Sequence, residues 1–243
     1  MSKLNIGLIG YGKMGKTIEK LATQRNHEIL LRISSKNVLE LSGPHISTLD
    51  VAIEFSRPES AIENLKLLAQ NKVPTVCGTT GWLDSYDEII ELFNENSTPF
   101  LYASNFSIGV NIVFEINKQL AKMMNRFPSY EVDIMESHHL EKKDAPSGTA
   151  ITIANDVIEN INNKKSWVNE KSTDAGKLEI ISHREPDVKG YHEINYSSKI
   201  DKVTLSHEAY SREGFAIGAL TSAEWIVGKS GIFRFADVMN DAS

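Results

Sequence analysis

Between His138 and Thr149 the chain reads His-His-Leu-Glu-Lys-Lys-Asp-Ala-Pro-Ser-Gly-Thr: two imidazoles, a lysine four residues after the first, and a Ser-Gly-Thr turn behind them. Imidazole exchanges protons near neutral pH and a positioned ammonium donates one, so His138 and Lys142 have the types for acid-base chemistry. The turn runs into helical spacing at Ala150, Ile153, Ala154, Val157 and Ile158, which puts Ser147, Gly148 and Thr149 at a helix start. Helix starts attract anions, so the stretch predicts a substrate site. The same residues admit a plainer reading, with the histidines at the surface or in a satisfied core, Lys142 and Lys143 as a solvated pair, and Ser147-Gly148-Thr149 as a helix cap. No metal is expected: the histidines with Glu141 and Asp144 lack HExxH or a comparable helical spacing, and Lys142 and Lys143 are poor neighbours for a cation.

The elements that must carry such a site begin at the N-terminus. Leu4 to Ile9 reads as a buried strand, and Gly10-Tyr11-Gly12-Lys13-Met14-Gly15 follows it into helical spacing at Met14, Ile18, Leu21 and Ala22. In a dinucleotide-binding fold the first glycine makes the turn, the second admits the pyrophosphate and the third lets helix pack on strand. Gly10, Tyr11, Gly12, Lys13 and Met14 are therefore candidate cofactor contacts. Further strands are predicted at Ile29 to Ile33, Val51 to Phe55, Val73 to Cys77 and Phe100 to Ala103, with helices starting near Pro58 and Leu83 between them. This alternation implies a doubly wound parallel sheet, in which ligands bind beyond the carboxyl ends of the strands. Phe55-Ser56-Arg57-Pro58 and Gly78-Thr79-Thr80-Gly81 fall there; each is either a cofactor contact or a turn chosen for its proline or glycine.

The end of the second strand bears on the choice of cofactor. An NAD-selective site places Asp or Glu there to bond the ribose 2′-hydroxyl. From Ile29 through Leu39 there is no acidic residue, and Arg32, Ser34, Ser35 and Lys36 cluster instead. The expectation is that NADPH is used at least as well as NADH, with Ser34, Ser35 and Lys36 near the 2′-phosphate; an ordinary solvated strand end is the alternative.

Glu136-x-His138-His139-x-x-Lys142-x-Asp144-Ala-Pro-Ser-Gly-Thr-Ala150 resembles the signature of the dihydrodipicolinate reductases, the lysine-pathway enzymes also called 4-hydroxy-tetrahydrodipicolinate reductases. Similar family segments run from end to end of the chain. Gly78-Thr79-Thr80-Gly81 resembles the turn that lies against the nicotinamide side of the cofactor. Ser104-Asn105-Phe106-Ser107-Ile108-Gly109-Val110 is similar to the family's crossing between domains, Gly190-Tyr191-His192 to its Gly-x-His motif, and Ser211-Arg212 with Phe215 to Ala219 to its returning hinge. Arg212 either approaches the substrate or braces that hinge. The short Ile33 to Val51 connection, with Gly43-Pro44 as a turn, matches the compact members.

The resemblance implies an α/β chain with a Rossmann-like doubly wound parallel sheet in a dinucleotide-binding domain, residues 1–105 and 213–243. It also implies a second α+β domain for substrate binding and oligomerisation, residues 106–212, with a mainly antiparallel sheet. Strands near Lys177 to Ser182, Tyr191 to Tyr196 and Val203 to Leu205 are expected in it, and the polar window from Asn160 to Asp174 reads as a surface connection. The implied reaction is NADH- or NADPH-dependent reduction of a ring dicarboxylate, 4-hydroxy-tetrahydrodipicolinate, by a homotetramer. On that pattern Lys142 donates the proton, His138 tunes it or exchanges protons with substrate, and His139, Ser147, Gly148 and Thr149 hold a substrate carboxylate. Gly78, Thr79, Thr80, Phe55, Ser104, Asn105 and Phe106 join the cofactor contacts. Glu136 and Asp144 support the loop.

Composition is consistent with this. A chain of 243 residues with 41% hydrophobic and 24% charged residues is an ordinary globular protein, as one large domain or two modest ones. Its formal charge of -6 argues against nucleic-acid or anionic-membrane partners. One cysteine, Cys77, excludes an internal disulfide framework and fits a reducing cytoplasm. Gly7, Gly10 and Gly12 interrupt the first apolar run, so no leader is expected there. Two other functions compete: another nicotinamide-dependent oxidoreductase of a small carboxylate, and a nucleotide-binding sensor without catalysis.

Overall fold

The computed structural model describes residues 2–42 and 44–241, so Gly43 of the expected Gly43-Pro44 turn lies outside the described residues. The elements run β1 (Asn5–Ile9), α1 (Lys13–Gln24), β2 (Glu28–Ile33), β3 (Val51–Glu54), α2 (Pro58–Gln70), β4 (Thr75–Cys77), α3 (Tyr86–Glu95) and β5 (Phe100–Tyr102). They continue with α4 (Ile108–Met124), β6 (Glu131–His138), α5 (Gly148–Asn160), β7 (Ser166–Val168), β8 (Lys177–Arg184), β9 (Tyr191–Ser197) and β10 (Lys202–Glu208). Last come α6 (Glu213–Ile226), β11 (Ile232–Arg234) and α7 (Phe235–Asp241). The chain divides into two compact units, one running up to Ile108 and resuming at Glu213, the other Gly109–Arg212.

In the first unit six strands pair in the order β11-β5-β4-β3-β1-β2, all parallel. The inner strands β1, β3, β4 and β5 are largely buried on both sides because successive side chains point to opposite faces and both faces are covered, while the edge strand β2 alternates exposed and buried residues. Ile6, Leu8, Val51, Ile53, Val76 and Leu101 enter one core with α1 and α6. Ile9, Ala52, Cys77 and Phe100 enter the other with α2 and α3. This is the doubly wound sheet that the strand-helix alternation predicted. The three-residue β11 and the short α7 were not legible, because β11 is too short to show a period.

The units part after Ile108 rather than after Asn105. Phe106 is 1% exposed and packs edge-on against Phe235, 5.4 Å between centroids, with Phe55 at 5.7 Å. Burying such a ring contributes about 1.5–3 kcal/mol, so the segment up to it stays with the first unit. Helix α6 approaches so closely that a Cβ on Gly218 would lie 1.8 Å from the Phe106 carbonyl oxygen.

The second unit holds a five-stranded sheet in the order β10-β9-β6-β8-β7. It is mixed where the resemblance implied a mainly antiparallel sheet: β9 pairs antiparallel with β10 and β6, while β8 pairs parallel with β6 and β7. Two returns of the chain cause the difference: α5 crosses back between β6 and β7, and residues 169–176 cross back between β7 and β8, so all three strands run the same way. The edge strand β7 falls within the window expected to be a surface connection. It is three residues long, and polar residues surround it. One face of the sheet, with Val132, Ile134, Leu178, Ile180, Ile194 and Tyr196, is covered by α4 and α5. Among the described residues no helix is long and apolar enough to cross a membrane.

One buried charge in this unit makes stability depend on pH. Asp156 on α5 is 7% exposed, its Oδ2 has no hydrogen-bond partner, and the nearest ammonium, Lys118, is 3.9 Å away. Burial pushes the carboxyl up to about 6, against the pull of Lys118. The folded value lies above the unfolded one, so this group's favourable contribution is complete below about pH 4 and is lost as pH rises through about 6. Asp156→Asn should therefore stabilise the protein by on the order of 2 kcal/mol at neutral pH and by little at pH 4. Denaturant midpoints at the two pH values check this, and an equal change at both would contradict it.

Candidate active site

The covered face of the second sheet changes character toward one end. Along β6 the inward positions run Val132, Ile134, Glu136, His138, and the aligned positions run Leu178, Ile180, Ser182, Arg184 on β8 and Tyr196, Ile194, His192 on β9. Three strands thus pass from apolar to polar at the same level. Period-two alternation keeps all these side chains on one face, so the chemistry is built as a continuation of the core. Gly190, two residues before His192, lies against the His138 ring, where an added Cβ would come 3.4 Å from Nε2. This gives the Gly-x-His motif its geometry: the glycine accommodates one imidazole, and the histidine stacks edge-on against it at 5.1 Å.

Glu136 is at the centre and fully buried. Its carboxylate accepts from the Ser147 N–H at 3.0 and 3.2 Å and from the Ser182 hydroxyl at 2.7 Å, with the Arg184 guanidinium 3.7 Å away. Burial alone would raise its pKa, but the hydrogen bonds from Ser147 and Ser182 hold it below the usual value, so it is an anion at neutral pH. His138 Nδ1 stands 3.5 Å from one of its oxygens. Burial, with the charges of Lys142 and Arg184, takes His138 down to about 4 although Glu136 pulls the other way. His192 is lowered to about 3, again chiefly by burial. Both rings are neutral near pH 7.

The loop after β6 is tied at several points. Lys142 Nζ pairs with both Asp144 oxygens at 2.7–2.8 Å, and Arg184 donates to the backbone carbonyls of Lys142 and Asp144. Ser147 caps α5, its hydroxyl accepting from the Ala150 N–H at 3.2 Å and lying 3.1 Å from His192 Nε2. The first intrahelical bond runs from Ile151 N–H to the Ser147 carbonyl, so the Gly148 and Thr149 N–H groups precede it. Gly148 is exposed, with open space where a side chain would stand. His139, just past the end of β6, is half-buried. The helix-cap reading of Ser147 is thus correct as far as it goes, but the cap sits against the histidine cluster. Ser182, Arg184 and the histidine of the Gly-x-His motif were not singled out as site residues, since nothing in their spacing ties them to positions 136–149. Glu136, His138 and His192 offer three ligand atoms within 4.8 Å of one another. The charges of Arg184 and Lys142 beside them, and the hydrogen bonds already on the Glu136 carboxylate, oppose a cation there.

The first unit contains a cavity of about 570 Å³ lined by Gly10, Tyr11, Gly12, Ser34, Ser35 and Phe55, among others. Gly10 has φ +103°, and a Cβ on it would lie 2.1 Å from the Phe55 carbonyl. A Cβ on Gly15 would lie 2.7 Å from the Gly10 carbonyl, while one on Gly12 would meet nothing within 4 Å. Two glycines serve backbone packing and the third leaves open space at the start of α1, which has neither a side-chain cap nor an acidic residue in its first turn. Such a terminus suits a pyrophosphate.

The other expected cofactor residues are more dispersed. Lys13 and Met14 open α1, and Lys36 is exposed beside Ser35 without lining the cavity. Gly78 packs against the Phe55 ring, where a Cβ would lie 2.2 Å from Cζ, and Thr79 Oγ1 accepts from the Ser56 N–H at 2.8 Å. Thr80 and Ser104 are exposed, and Asn105 folds onto the Ser107 N–H at 2.8 Å. The side chain of Phe106 is a core residue, which leaves its backbone as the part that could meet the cofactor. Arg32 does not join Ser34 to Lys36 either: its guanidinium is bound to Glu19, which also takes the Tyr11 hydroxyl. Sequence reasoning missed Glu54, fully buried, whose carboxylate accepts from Ser56, Asn64 and the Cys77 thiol and so braces the loop after β3.

Comparison with known proteins agrees with this geometry. The family described as dihydrodipicolinate reductase, N-terminus, matches residues 4–106, and dihydrodipicolinate reductase, C-terminus, matches residues 109–239. A 4-hydroxy-tetrahydrodipicolinate reductase from Christiangramia forsetii is 43% identical over 98% of this chain and 98% of its own length. One from Methanoregula boonei is 35% identical over 78% of this chain and 74% of its own. Among solved structures, a dipicolinate-bound dihydrodipicolinate reductase from Paenisporosarcina sp. TG-14 shares the fold, with a TM-score of 0.77 at 24% identity, covering 96% of this chain and 98% of that one. With both halves matched and relatives this similar over nearly its whole length, the chain belongs to the dihydrodipicolinate reductase family.

Proposed function

We infer that this chain performs the reaction for which its relatives are named, the NADH- or NADPH-dependent reduction of 4-hydroxy-tetrahydrodipicolinate to tetrahydrodipicolinate in diaminopimelate and lysine biosynthesis. It is an oxidoreductase whose nucleotide is taken by the first unit, residues up to Ile108 with those from Glu213, through Gly10 to Met14 at the start of α1. The bound dinucleotide supplies the hydride. The chain's own residues must orient a dianionic ring, stabilise charge and deliver one proton, while a water is lost from the 4-hydroxy substrate. His139, Ser147, Gly148 and Thr149 hold a substrate carboxylate at the head of α5. Lys142, fixed by Asp144 and Arg184, donates the proton, and the neutral His138 exchanges protons with it or with the substrate. The observation that carries this reading is the convergence of His138 and the capped α5 start on the buried Glu136 carboxylate, with Lys142, held by Asp144, close enough for its charge to act on His138. Loss of reduced-cofactor absorbance on adding the unstable product of the preceding synthase tests it. Cofactor binding without consumption would restore the sensor reading.

Cofactor preference follows from the end of β2. Ser34 and Ser35 line the cavity, and neither they nor the last residues of β2 carry the carboxylate that would bond a ribose 2′-hydroxyl; Arg57 and Glu59 of the α2 start line the same cavity. With Arg32 engaged by Glu19, Lys36 beside Ser35 and Arg57 in the cavity wall are cations placed for a charge-assisted contact. NADPH should be used at least as well as NADH, and Lys36→Ala or Ser35→Glu should move the preference toward NADH. Specificity constants for both cofactors decide this; a wild type strongly favouring NADH overturns it. The enzyme works in the cytosol as a homotetramer assembled through the second unit's sheet. The uncovered face of that sheet supports this assembly, and a monomer in light scattering would exclude it.

A further inference from the structure

Glu136 does more than brace the loop. His138 Nδ1 is buried, has no hydrogen-bond partner among the described residues, and stands 3.5 Å from Glu136 Oε2. Its other nitrogen, Nε2, lies beside Gly190, where the missing side chain leaves it uncovered: an added Cβ would come 3.4 Å from it. A neutral imidazole carries one proton, so two tautomers compete. With the proton on Nε2, the Nδ1 lone pair would face a carboxylate oxygen in a buried setting, two negative ends opposed. With the proton on Nδ1, a buried N–H faces an anion.

The anion is not free to turn away. Ser147 N–H holds both of its oxygens and the Ser182 hydroxyl holds Oε1, so Oε2 stays toward His138. His192 reinforces the arrangement: its Nε2 lies 3.7 Å from the same oxygen and 3.1 Å from the Ser147 hydroxyl, while its own Nδ1 has no partner. A proton on His192 Nε2 then satisfies the ring, leaving only a lone pair on Nδ1.

We propose that Glu136 is a positioning residue that holds the His138 proton on Nδ1 and thereby presents the Nε2 lone pair as the proton acceptor of the site. The same carboxylate anchors the Ser147 N–H, so one buried anion sets both the acceptor and the carboxylate-binding turn. This rests on the reading of His138 as an acid-base group.

Glu136→Gln separates the tautomer from the anchoring. The amide oxygen can still accept from Ser147 and Ser182, while the amide NH2 faces Nδ1 and forces it to become the acceptor, moving the proton to Nε2. The expected result is a fall in kcat on the order of 100-fold or more. NADPH and dipicolinate dissociation constants should stay within about threefold, the latter because the retained hydrogen bonds keep the turn in place. Nitrogen NMR of ring-labelled histidine, with His138 assigned by its loss in His138→Gln, should show Nδ1 protonated in the wild type and Nε2 protonated in Glu136→Gln. A wild-type His138 protonated on Nε2 overturns the proposal, and so does normal turnover in Glu136→Gln; should that variant not fold, the wild-type spectrum alone decides. An active His138→Gln enzyme would instead remove the acid-base reading itself. Inactive His138→Gln beside active Glu136→Gln would leave that reading intact and remove only the role of Glu136.

Discussion

Lys142→Ala should lower turnover by on the order of 100-fold or more, the scale for losing a positioned proton donor, with dinucleotide affinity little changed. The surrounding loop explains why the loss would be confined to chemistry. Arg184 grips the backbone carbonyls of Lys142 and Asp144, and Glu136 grips the Ser147 N–H. None of these bonds uses the lysine side chain, so truncation removes the ammonium and leaves its frame. Asp144 loses its partner, but its side chain is 60% exposed and water can replace the ammonium. His138→Gln should have an effect of similar size, because a glutamine amide is too weak a base to accept a proton near neutral pH. Steady-state turnover measured together with the cofactor dissociation constant checks both. Near-wild-type turnover in either variant would remove that residue from the mechanism.

Gly10→Ala should destabilise the protein by more than about 4 kcal/mol, the exceptional range reached only by strain or severe overlap, and Gly12→Ala should not. Gly10 has φ +103°, a conformation costly for any residue with a side chain, and the added methyl would overlap the Phe55 carbonyl oxygen at 2.1 Å and the Ser56 nitrogen at 2.7 Å. Those atoms cannot retreat. Phe55 N–H is bonded to the Ile9 carbonyl at 2.7 Å and Ser56 N–H to Thr79 Oγ1 at 2.8 Å. At Gly12 the methyl would meet no protein atom within 4 Å. Gly12→Ala should therefore fold normally and lose dinucleotide affinity by about tenfold or more, since its open space is where the pyrophosphate backbone approaches. Denaturant midpoints and a dinucleotide titration on the two variants test the pair. A stable Gly10→Ala protein, or a Gly12→Ala protein with unchanged affinity, would show that these glycines do not divide the work in this way.

What was legible in the sequence is what local rules encode. The strand-glycine-helix opening, the alternation from β1 to β5 and the Ser147 cap before α5 follow from side-chain period, glycine conformational freedom and capping, all of which act within a few residues. The string from Glu136 to Ala150 was legible as a unit because one strand end, one loop and one helix start carry it without interruption. Three features needed the tertiary structure. The second sheet is mixed because the chain returns twice, through α5 between β6 and β7 and through residues 169–176 between β7 and β8, and no periodicity within a strand reports the direction of its neighbour. Phe106 reads as part of a crossing, yet its ring is claimed by Phe55 and Phe235, the latter from the far end of the chain. Arg184 and Ser182 reach Glu136 only because β8 lies beside β6 in a register that aligns Ser182 with Glu136 and Arg184 with His138, while β9 aligns His192 with Glu136 from the other side. A buried carboxylate takes its protonation from the donors and charges around it. Those donors come from strands distant in sequence, so the identity of residue 136 was readable along the chain, but its ionisation and its hold on His138 were decided by strand register.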